Sequence, residues 1–271
     1  MIKLVVTDID GTLTTEGTDQ VSEEIYDLVL EMKKLGIVFA AASGREYDSI
    51  YRVFEPVKDE MIFIAQNGAY VVCRGVEISR KPIRRSVFED LLRTLKARDD
   101  CQYSTSAPEG IYLDYQNDYF YDVLTKGYKN NVYMVDDVLK ADADFVKVSV
   151  FQKDGINRQI RDDLLIPHWQ KDLQVVVSGK YWIDFMDKSV DKGHAVADIQ
   201  KVLGISREET MAFGDNGNDI GMLKQAGESY AVANAGSSVK EVARHVAQAG
   251  PDGGVIKVLK ELINTMKNEN K

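Results

Sequence analysis

The chain has 271 residues, of which 44% are hydrophobic and 28% charged, a composition typical of soluble globular proteins. Its 34 basic and 43 acidic residues give a net charge of −9. That balance argues against a nucleic-acid or acidic-membrane surface, because both need concentrated positive charge. Cys73 and Cys101 lack a metal-type spacing, so we expect reduced thiols rather than a disulfide framework.

The hydrophobic segments of the chain are short. Residues 4–6 form an apolar run that is too brief for the hydrophobic region of a signal peptide, and no later run is long enough to span a bilayer. We therefore expect a cytoplasmic protein without membrane or nucleic-acid partners. Monomer is the default expectation for its oligomeric state.

The first part of the chain contains three apolar runs, with an amphipathic segment between the first two. Residues 2–6, 37–42 and 61–65 are apolar runs that predict strands buried on both faces of a parallel sheet. Between the first two, apolar residues recur at helical spacing after a predicted N-cap at Ser22, and Gly36 ends the pattern. This order predicts a doubly wound parallel sheet.

The middle of the chain has a different pattern. Ser86 and Glu89 form a capping-box pair that predicts a helix start. Valines alternate with Lys147 and Ser149, which predicts an antiparallel strand with one solvated face. We interpret residues 82–189 as an inserted α+β cap domain. Its tyrosines either line an entrance or pack within the cap: Tyr103, Tyr112, Tyr115, Tyr119 and Tyr121.

The α/β alternation resumes in the last part of the chain. A helix is predicted from near Lys192 to a stop at Gly204, a strand over residues 210–213, and a closing amphipathic helix up to Met266. The predicted fold class is α/β, with a doubly wound parallel-sheet (Rossmann-like) core and an inserted α+β cap. The predicted domains are residues 1–81 and 190–271 for the core and 82–189 for the cap.

Polar residues follow the predicted core strands where parallel strands end together. In an open parallel sheet ligands bind beyond the carboxyl ends of the strands. The candidate site residues at that edge are Asp8, Asp10, Ser43, Gly44, Lys192, Asp215, Asn218 and Asp219.

The carboxylates in this set predict a divalent cation. Asp8 and Asp10 are two residues apart, so on an extended backbone their side chains leave the same face of the strand. Asp215 arrives from a neighbouring strand end, and clustered carboxylates repel unless a cation neutralises them. Mg²⁺ suits such an oxygen site.

The remaining candidates favour a bound phosphate. Lys192 lies at a predicted helix start, where a cation opposes the helix dipole and a bound anion would explain its position. The Ser43 hydroxyl and the backbone N–H groups near Gly44 can donate to phosphate oxygens.

These motifs resemble those of the haloacid dehalogenase-like hydrolase superfamily, in its Cof-type branch with a large α+β cap. The segment D-I-D-G-T-L at residues 8–13 matches the first motif and Ser43 the second. D-K-G around Lys192 matches the third, and G-D-N-G-N-D at residues 214–219 the fourth. N-G-A at residues 67–69 and V-A-N-A at residues 232–235 also resemble that branch, so the likeness covers essentially the whole chain.

The resemblance implies a mechanism and a role for each motif residue. Asp8 would form an aspartyl-phosphate, and Asp10 would act as general acid and base. Mg²⁺ would bind the Asp8 side chain, the Asp10 carbonyl and Asp215, with Asp219 supporting the site or ligating directly. The groups implied to stabilise or bind the phosphoryl oxygens are Ser43, Gly44, Lys192 and Asn218.

The implied function is a Mg²⁺-dependent phosphatase acting on small phosphorylated metabolites, with sugar phosphates favoured over nucleotide-like and cofactor phosphates. A phosphomutase or phosphotransferase shares the same aspartyl chemistry and stays open. A dehalogenase needs neither Asp10 nor Asp215, and the lack of membrane segments excludes a P-type pump. A non-catalytic phosphate-binding protein is the alternative outside the enzymes.

Overall fold

The computed structural model describes residues 1–15, 18, 20–114 and 117–269, with only the backbone of residues 163 and 164. The described chain forms two compact units. The first unit comprises Met1–Arg45, Ile50–Ser79 and Asp191–Lys271, and the second comprises Glu46–Ser49 and Arg80–Val190. The first unit is therefore built from both ends of the chain.

The strands of the described chain, in order, are β1 (Leu4–Asp8), β2 (Val38–Ala42), β3 (Met61–Ala65), β4 (Tyr70–Cys73), β5 (Val76–Arg80), β6 (Gln102–Ala107), β7 (Gly110–Leu113), β8 (Val132–Met134), β9 (Lys147–Phe151), β10 (Leu173–Ser178), β11 (Trp182–Asp187), β12 (Thr210–Gly214), β13 (Glu228–Val232) and β14 (His245–Ala247). The α-helices are α1 (Glu24–Lys34), α2 (Tyr47–Val53), α3 (Arg85–Lys96), α4 (Asp118–Asp122), α5 (Ile166–Trp169), α6 (Lys192–Leu203), α7 (Ile220–Gln225), α8 (Ser237–Val242) and α9 (Gly254–Glu269).

The first unit is organised around a sheet with the strand order β14-β13-β12-β1-β2-β3-β4-β5. The strands from β14 to β3 are parallel, and β4 runs antiparallel to β3. All five residues of β1 are buried, which explains its continuous apolar sequence. The predicted fold class is confirmed: the core is a doubly wound parallel sheet, and the fold carries an α+β insert.

Helix α6 covers one face of the central strands. Its residues Ala195, Val196 and Ile199 form one apolar cluster with Leu4 and Val6 of β1. Gly204 follows α6 with φ +64, a left-handed conformation that glycine adopts without a steric penalty. The helix thus starts and ends as the sequence predicts, and its packing fixes the position of its first residue, Lys192.

The second unit contains a sheet with the strand order β10-β11-β9-β6-β7-β8. The pairs from β10 to β7 are antiparallel, whereas β7 and β8 are parallel. Helix α3 packs its apolar face, including Leu91 and Leu92, into a cluster with Val148 and Val150 of β9. This alternation of valines supplies one face of the sheet, as the sequence predicts.

The other face of β9 differs from its prediction, because it is buried rather than solvated. The Lys147 ammonium lies 2.8 Å from Glu46 Oε1, which also accepts a hydrogen bond of 2.9 Å from Ser106 Oγ. On the same face Asp184 accepts hydrogen bonds from Ser149 and Ser178. Sequence alternation detects two chemically different faces, but it does not say whether the polar face meets water or buried partners.

Two predicted helix starts also differ from the structure. The N-cap of α1 is Glu23 rather than Ser22, and no side chain caps it. The N-cap of α3 is Arg84, so Ser86 lies inside the helix. Glu89 does not complete a capping box because its carboxylate accepts from Arg85 and Arg93 on the helix surface instead.

The predicted cap tyrosines divide between packing and exposure. Tyr103 is buried and its hydroxyl donates to Asp114, while the ring of Tyr112 packs edge-on against Phe145. These two side chains therefore contribute to the interior of the second unit. Tyr119 and Tyr121 are exposed, and Tyr115 lies outside the described residues.

Among the helices of the described ranges, none has the length and apolar character required to cross a bilayer.

The buried Glu46–Lys147 pair generates a test of what stabilises the second unit. Lys147→Met removes the ammonium that lies against the buried Glu46 carboxylate, so we expect a loss of about 3–5 kcal/mol in the free energy of unfolding. Glu46→Gln/Lys147→Met removes both charges of this pair, the Gln oxygen still accepts from Ser106, and Asp184 keeps its hydrogen bonds from Ser149 and Ser178, so most of that loss should be recovered. Chemical denaturation measures the free energy of unfolding of both variants.

Lys126→Met, which removes an exposed helical pair with Asp122, is the control and should cost less than about 0.5 kcal/mol. A double variant as unstable as Lys147→Met would contradict this account.

Candidate active site

The candidate site lies where the strand order of the first unit reverses. Strand β1 sits between β2 and β12, and both neighbours are parallel to it. Their carboxyl ends therefore deliver Asp8, Ser43 and Asp215 to one edge of the sheet, because each lies at or directly after the end of its strand.

Lys192 is a fully buried charged group of the site. Its side chain is 0% exposed, and its ammonium lies 2.6 Å from Asp8 Oδ1 and 2.7 Å from Asp219 Oδ1. Asp191 caps the helix by accepting from the N–H groups of Gly193 and His194, which offsets the presence of a cation at this helix start. Burial alone would lower the pKa of Lys192, but the nearby Asp219 and Asp8 carboxylates raise it, so the ammonium stays charged.

Three carboxylates gather beside this ammonium. One oxygen each of Asp8, Asp215 and Asp219 lie within 4.8 Å of one another, a grouping that could hold a metal ion. Thr12 Oγ1 donates to Asp215 Oδ1 at 2.7 Å and fixes that side chain. Both carboxylate oxygens of Asp219 already accept hydrogen bonds. Oδ1 accepts from Lys192, and Oδ2 accepts from the N–H groups of Asp215 and Asn216.

The charges of this cluster do not balance. Three carboxylates and one ammonium leave an excess of negative charge when all are ionised. Burial and the Asp219 charge raise the pKa of Asp8 well above its usual range, and burial also raises the pKa of Asp215. Asp8 Oδ2 is buried and has no hydrogen-bond partner among the described residues. A cation would satisfy both the charge and this oxygen.

Asp10 has a separate set of contacts. The Arg45 guanidinium grips it through Nε at 2.9 Å from Oδ2 and through its NH2 group at 2.5 Å from Oδ1. The same NH2 group donates to the carbonyl of Thr18. This two-pronged pairing fixes the orientation of the Asp10 carboxylate, which does not belong to the cluster of three.

The phosphate-binding candidates lie around the ends of β2, β3 and β12. Ser43 is buried, and its hydroxyl oxygen accepts from the N–H of Arg45 at 3.1 Å. Ser43 directly follows Ala42, which is the register partner of Asp8. Asn218 donates through Nδ2 to Asn67 Oδ1 at 2.9 Å.

The structure therefore brings Asp8, Lys192, Asp215 and Asp219 into direct or near contact. Ser43 lies beside Asp8 across the sheet edge, and the other candidates Gly44, Asn218 and Asp10 occupy the surrounding loops. The carboxylate that completes the cluster is that of Asp219, whereas Asp10 points its carboxylate to Arg45.

Some residues of the site are not among the sequence candidates. Thr12 supports Asp215, Arg45 orients Asp10, and Asn234 donates to the Gly11 carbonyl. Thr12 lies within the first motif segment and Arg45 directly follows Gly44, so their positions in the sequence could have indicated that they belong to the site. For Asn234 the only signal was its place in a segment typical of the Cof-type branch.

Comparison with known proteins gives a consistent result. The haloacid dehalogenase-like hydrolase family matches residues 5–259. The chain is 30% identical to the 5-amino-6-(5-phospho-D-ribitylamino)uracil phosphatase YbjI of Escherichia coli, over 97% of this chain and 96% of that protein. A solved structure from Eubacterium rectale is 30% identical, covers 96% of this chain and 99% of its own, and superposes with a TM-score of 0.88.

A third comparison concerns the fold alone. The HAD subclass IIB sugar phosphatase BT4131 is 21% identical, with 96% of this chain and 98% of that chain covered and a TM-score of 0.79. The chain belongs to the haloacid dehalogenase-like hydrolases, and the Cof-type branch inferred from its motifs is confirmed. It is an enzyme of the phosphoric monoester hydrolase class, as its full-length phosphatase relatives indicate.

Gly11 gives a test of the carboxylate cluster. Its φ is +84, and a Cβ added there would lie 2.5 Å from Asp215 Oδ2. If the cluster holds a divalent cation, Gly11→Ala should displace the Asp215 carboxylate and weaken the binding of that cation, tested with Mg²⁺, by about tenfold or more, since one charged ligand is misplaced. The measurement is the rise in Tm as Mg²⁺ is added.

Gly36→Ala is the matched control. Gly36 has a similar φ of +77, but nothing lies within 4 Å of an added Cβ. Both variants incur about 1 kcal/mol of backbone strain, and only Gly11→Ala disturbs the cluster. Equal Mg²⁺ affinities of the two variants would contradict the assignment of Asp215 to a cation site.

Proposed function

We propose that the protein is a Mg²⁺-dependent phosphatase of small phosphorylated metabolites that works through an aspartyl-phosphate on Asp8. The observation that carries the proposal is the environment of the Asp8 carboxylate. One oxygen is held by the buried Lys192 ammonium, and the other is buried without a hydrogen-bond partner in the described chain. Such a carboxylate is oriented and only half satisfied, as a nucleophile awaiting a cation and a phosphoryl group should be.

The donor set fits Mg²⁺. The ligands proposed are the Asp8 and Asp215 carboxylates with the Asp10 backbone carbonyl, all oxygen atoms, which Mg²⁺ prefers. Asp219 serves as a support, because its two oxygens already accept from Lys192 and two backbone N–H groups. When bound, Mg²⁺ would offset the repulsion between the Asp8 carboxylate and the oxygens of the phosphate.

In the first half of the proposed reaction, an Asp8 oxygen attacks phosphorus and the bond from phosphorus to the ester oxygen breaks. Asp10 donates a proton to the leaving oxygen. Arg45 holds the Asp10 carboxylate through its two-pronged pairing, and Lys192 and Ser43 stabilise the oxygens of the transferring phosphoryl group.

In the second half, water attacks phosphorus and releases inorganic phosphate. Asp10 accepts the proton of this water, and the bond between phosphorus and the Asp8 oxygen breaks, which restores the carboxylate. Gly44 and Asn218 are proposed to bind phosphate oxygens throughout, together with Ser43 and Lys192.

The proposal extends to the domain organisation and location. The sequence-based division into a core of residues 1–81 and 190–271 with an inserted α+β cap domain of residues 82–189 belongs to it. A cytoplasmic location accords with the free thiols of Cys73 and Cys101.

Asp8→Asn tests the nucleophile. The amide cannot form the acyl phosphate, so turnover of 4-nitrophenyl phosphate with Mg²⁺ should fall by at least about 10³-fold. Phosphate release and unfolding curves are measured together. The exposed Asp27→Asn in α1 is the control and should keep full activity. A folded Asp8→Asn protein with most of its turnover would remove Asp8 from this role.

The substrate class is proposed to be phosphorylated sugars and sugar alcohols. Support comes from the Escherichia coli relative at 30% identity, whose named substrate carries phosphate on a ribityl chain. Its phosphate is the monoester of a primary polyol hydroxyl, a leaving group that needs protonation. Protonation of that oxygen is the role proposed for Asp10.

A panel of metabolites tests this class. With Mg²⁺, we expect kcat/KM for phosphorylated sugars and sugar alcohols to exceed that for nucleotides by about tenfold or more. The reason is that the proposed site recognises both the hydroxyl groups of the polyol and the charge of the phosphate. Phosphate release is measured for each compound, with and without a chelator. Nucleotides as the best substrates would contradict the proposed class.

The same panel separates the phosphotransferase alternative. Adding an unphosphorylated sugar as acceptor should leave the yield of inorganic phosphate unchanged if water is the acceptor. Transfer of the phosphoryl group to the sugar instead would identify a phosphotransferase or phosphomutase.

A further inference from the structure

The turn that follows β3 lies against several parts of the site. In Gln66–Gly68 every residue has a positive φ: Gln66 51, Asn67 58 and Gly68 98. Side chains other than glycine rarely adopt this region, and two in succession cost of order 1 kcal/mol each. The surrounding contacts must hold the turn in this conformation.

The backbone of the turn is bonded to the segment that carries Ser43. The N–H of Asn67 donates to the Ser43 carbonyl at 2.9 Å, and the N–H of Gln66 donates to the Arg45 carbonyl at 2.9 Å. The position of the Ser43 hydroxyl is therefore tied to the left-handed backbone of Asn67.

The turn also lies directly against the start of α6. A Cβ added to Gly68 would lie 2.7 Å from the backbone oxygen of Asp191 and 3.1 Å from the Cβ of Ala195. This close approach fixes the distance between the turn and the helix that begins with Lys192.

The side chain of Asn67 makes a third connection. Asn67 is only 4% exposed, and its Oδ1 accepts from Asn218 Nδ2 at 2.9 Å. Asn218 is half-buried in the segment that follows β12, so without this acceptor its carboxamide would be free to rotate. The Asn67 carboxamide is also packed beside Gly44, where an added Cβ would lie 3.3 Å from its oxygen and nitrogen.

We propose that Asn67 is a positioning residue that sets the geometry of the phosphate site by holding Asn218 and the Ser43 segment in register with the start of α6. This inference rests on the proposed function. Asn67 touches no reacting atom in this account. It acts through Asn218, whose amide it orients, and its left-handed backbone keeps the Ser43 carbonyl engaged.

Asn67→Gly separates the side chain from the backbone. Glycine adopts φ 58 without strain, so the variant keeps the turn and the backbone bond to Ser43 while losing the acceptor for Asn218. We expect KM and the inhibition constant of inorganic phosphate to rise about five- to tenfold in the presence of Mg²⁺. The value of kcat should change less, because Asp8 and Lys192 keep their places.

A double-mutant cycle with Asn218→Ala shows whether Asn67 acts through Asn218. The proposal requires Asn67→Gly/Asn218→Ala to match Asn218→Ala alone within about twofold for inorganic phosphate. Independent effects would instead multiply, and a multiplied effect would overturn the proposal. An unchanged inhibition constant in Asn67→Gly would overturn it as well.

The control is Arg74→Gly. Arg74 is another non-glycine residue in the left-handed region, with φ 51, in the turn between β4 and β5. Its replacement changes the same backbone property without reaching the site, so phosphate inhibition should match the wild type. Unfolding curves are measured for every variant. If Asn67→Gly does not fold, Asn67→Ser replaces it, because the shorter serine side chain does not make the bond to Asn218.

The wild-type protein distinguishes failure of the proposed function from failure of the role of Asn67. A wild type without Mg²⁺-dependent phosphate release would overturn the proposed function itself. A wild type that turns over normally, combined with independent effects in the cycle, would overturn only the role of Asn67.

Discussion

The arrangement of the site depends on one buried ammonium group. Lys192 has no solvent to stabilise its charge, so its charge is stabilised by Asp8 and Asp219. In return it orients one oxygen of Asp8 and one of Asp219. Because a buried ion pair that loses one partner is strongly destabilised, the lysine and these carboxylates form a unit whose members constrain one another. The reactivity proposed for Asp8 follows from its second oxygen, Oδ2, which this unit leaves without a hydrogen-bond partner among the described residues.

The sheet topology brings the members of this unit together. The chain lays down β1, β2 and β3 on one side and returns to place β12, β13 and β14 on the other. The reversal next to β1 opens a crevice at the carboxyl ends of the strands, where residues distant in sequence meet. Small residues make the approach possible: a Cβ at Gly214 would lie 2.5 Å from the Cβ of Asp219. Backbone and carboxylate therefore share a space that only glycine leaves open.

Sequence predicted the fold and the neighbourhood of the site well, for a physical reason. Periodicity reports which faces are apolar, and motif positions after strands report what reaches the sheet edge, so Asp8, Ser43 and Asp215 followed from position alone. Pairing between distant side chains does not follow from spacing. The pairing of Arg45 with Asp10 and that of Glu46 with Lys147 are each one choice among many available partners, and only the folded chain determines them.

The distance in sequence between the two halves of the site has a consequence for biosynthesis. Asp8 and Lys192 are 184 residues apart, and Thr12 and Asp215 are 203 apart. During translation β1 lacks its neighbour β12 until residues 210–214 have been made, so one edge of the nascent sheet stays open. Because contacts between residues far apart in sequence form slowly, we expect the pairing of β1 with β12 to be a late step of folding. Asp8 therefore acquires its surroundings only after residue 219 has been synthesised, and ribosome-bound fragments that end before it lack the carboxylate cluster.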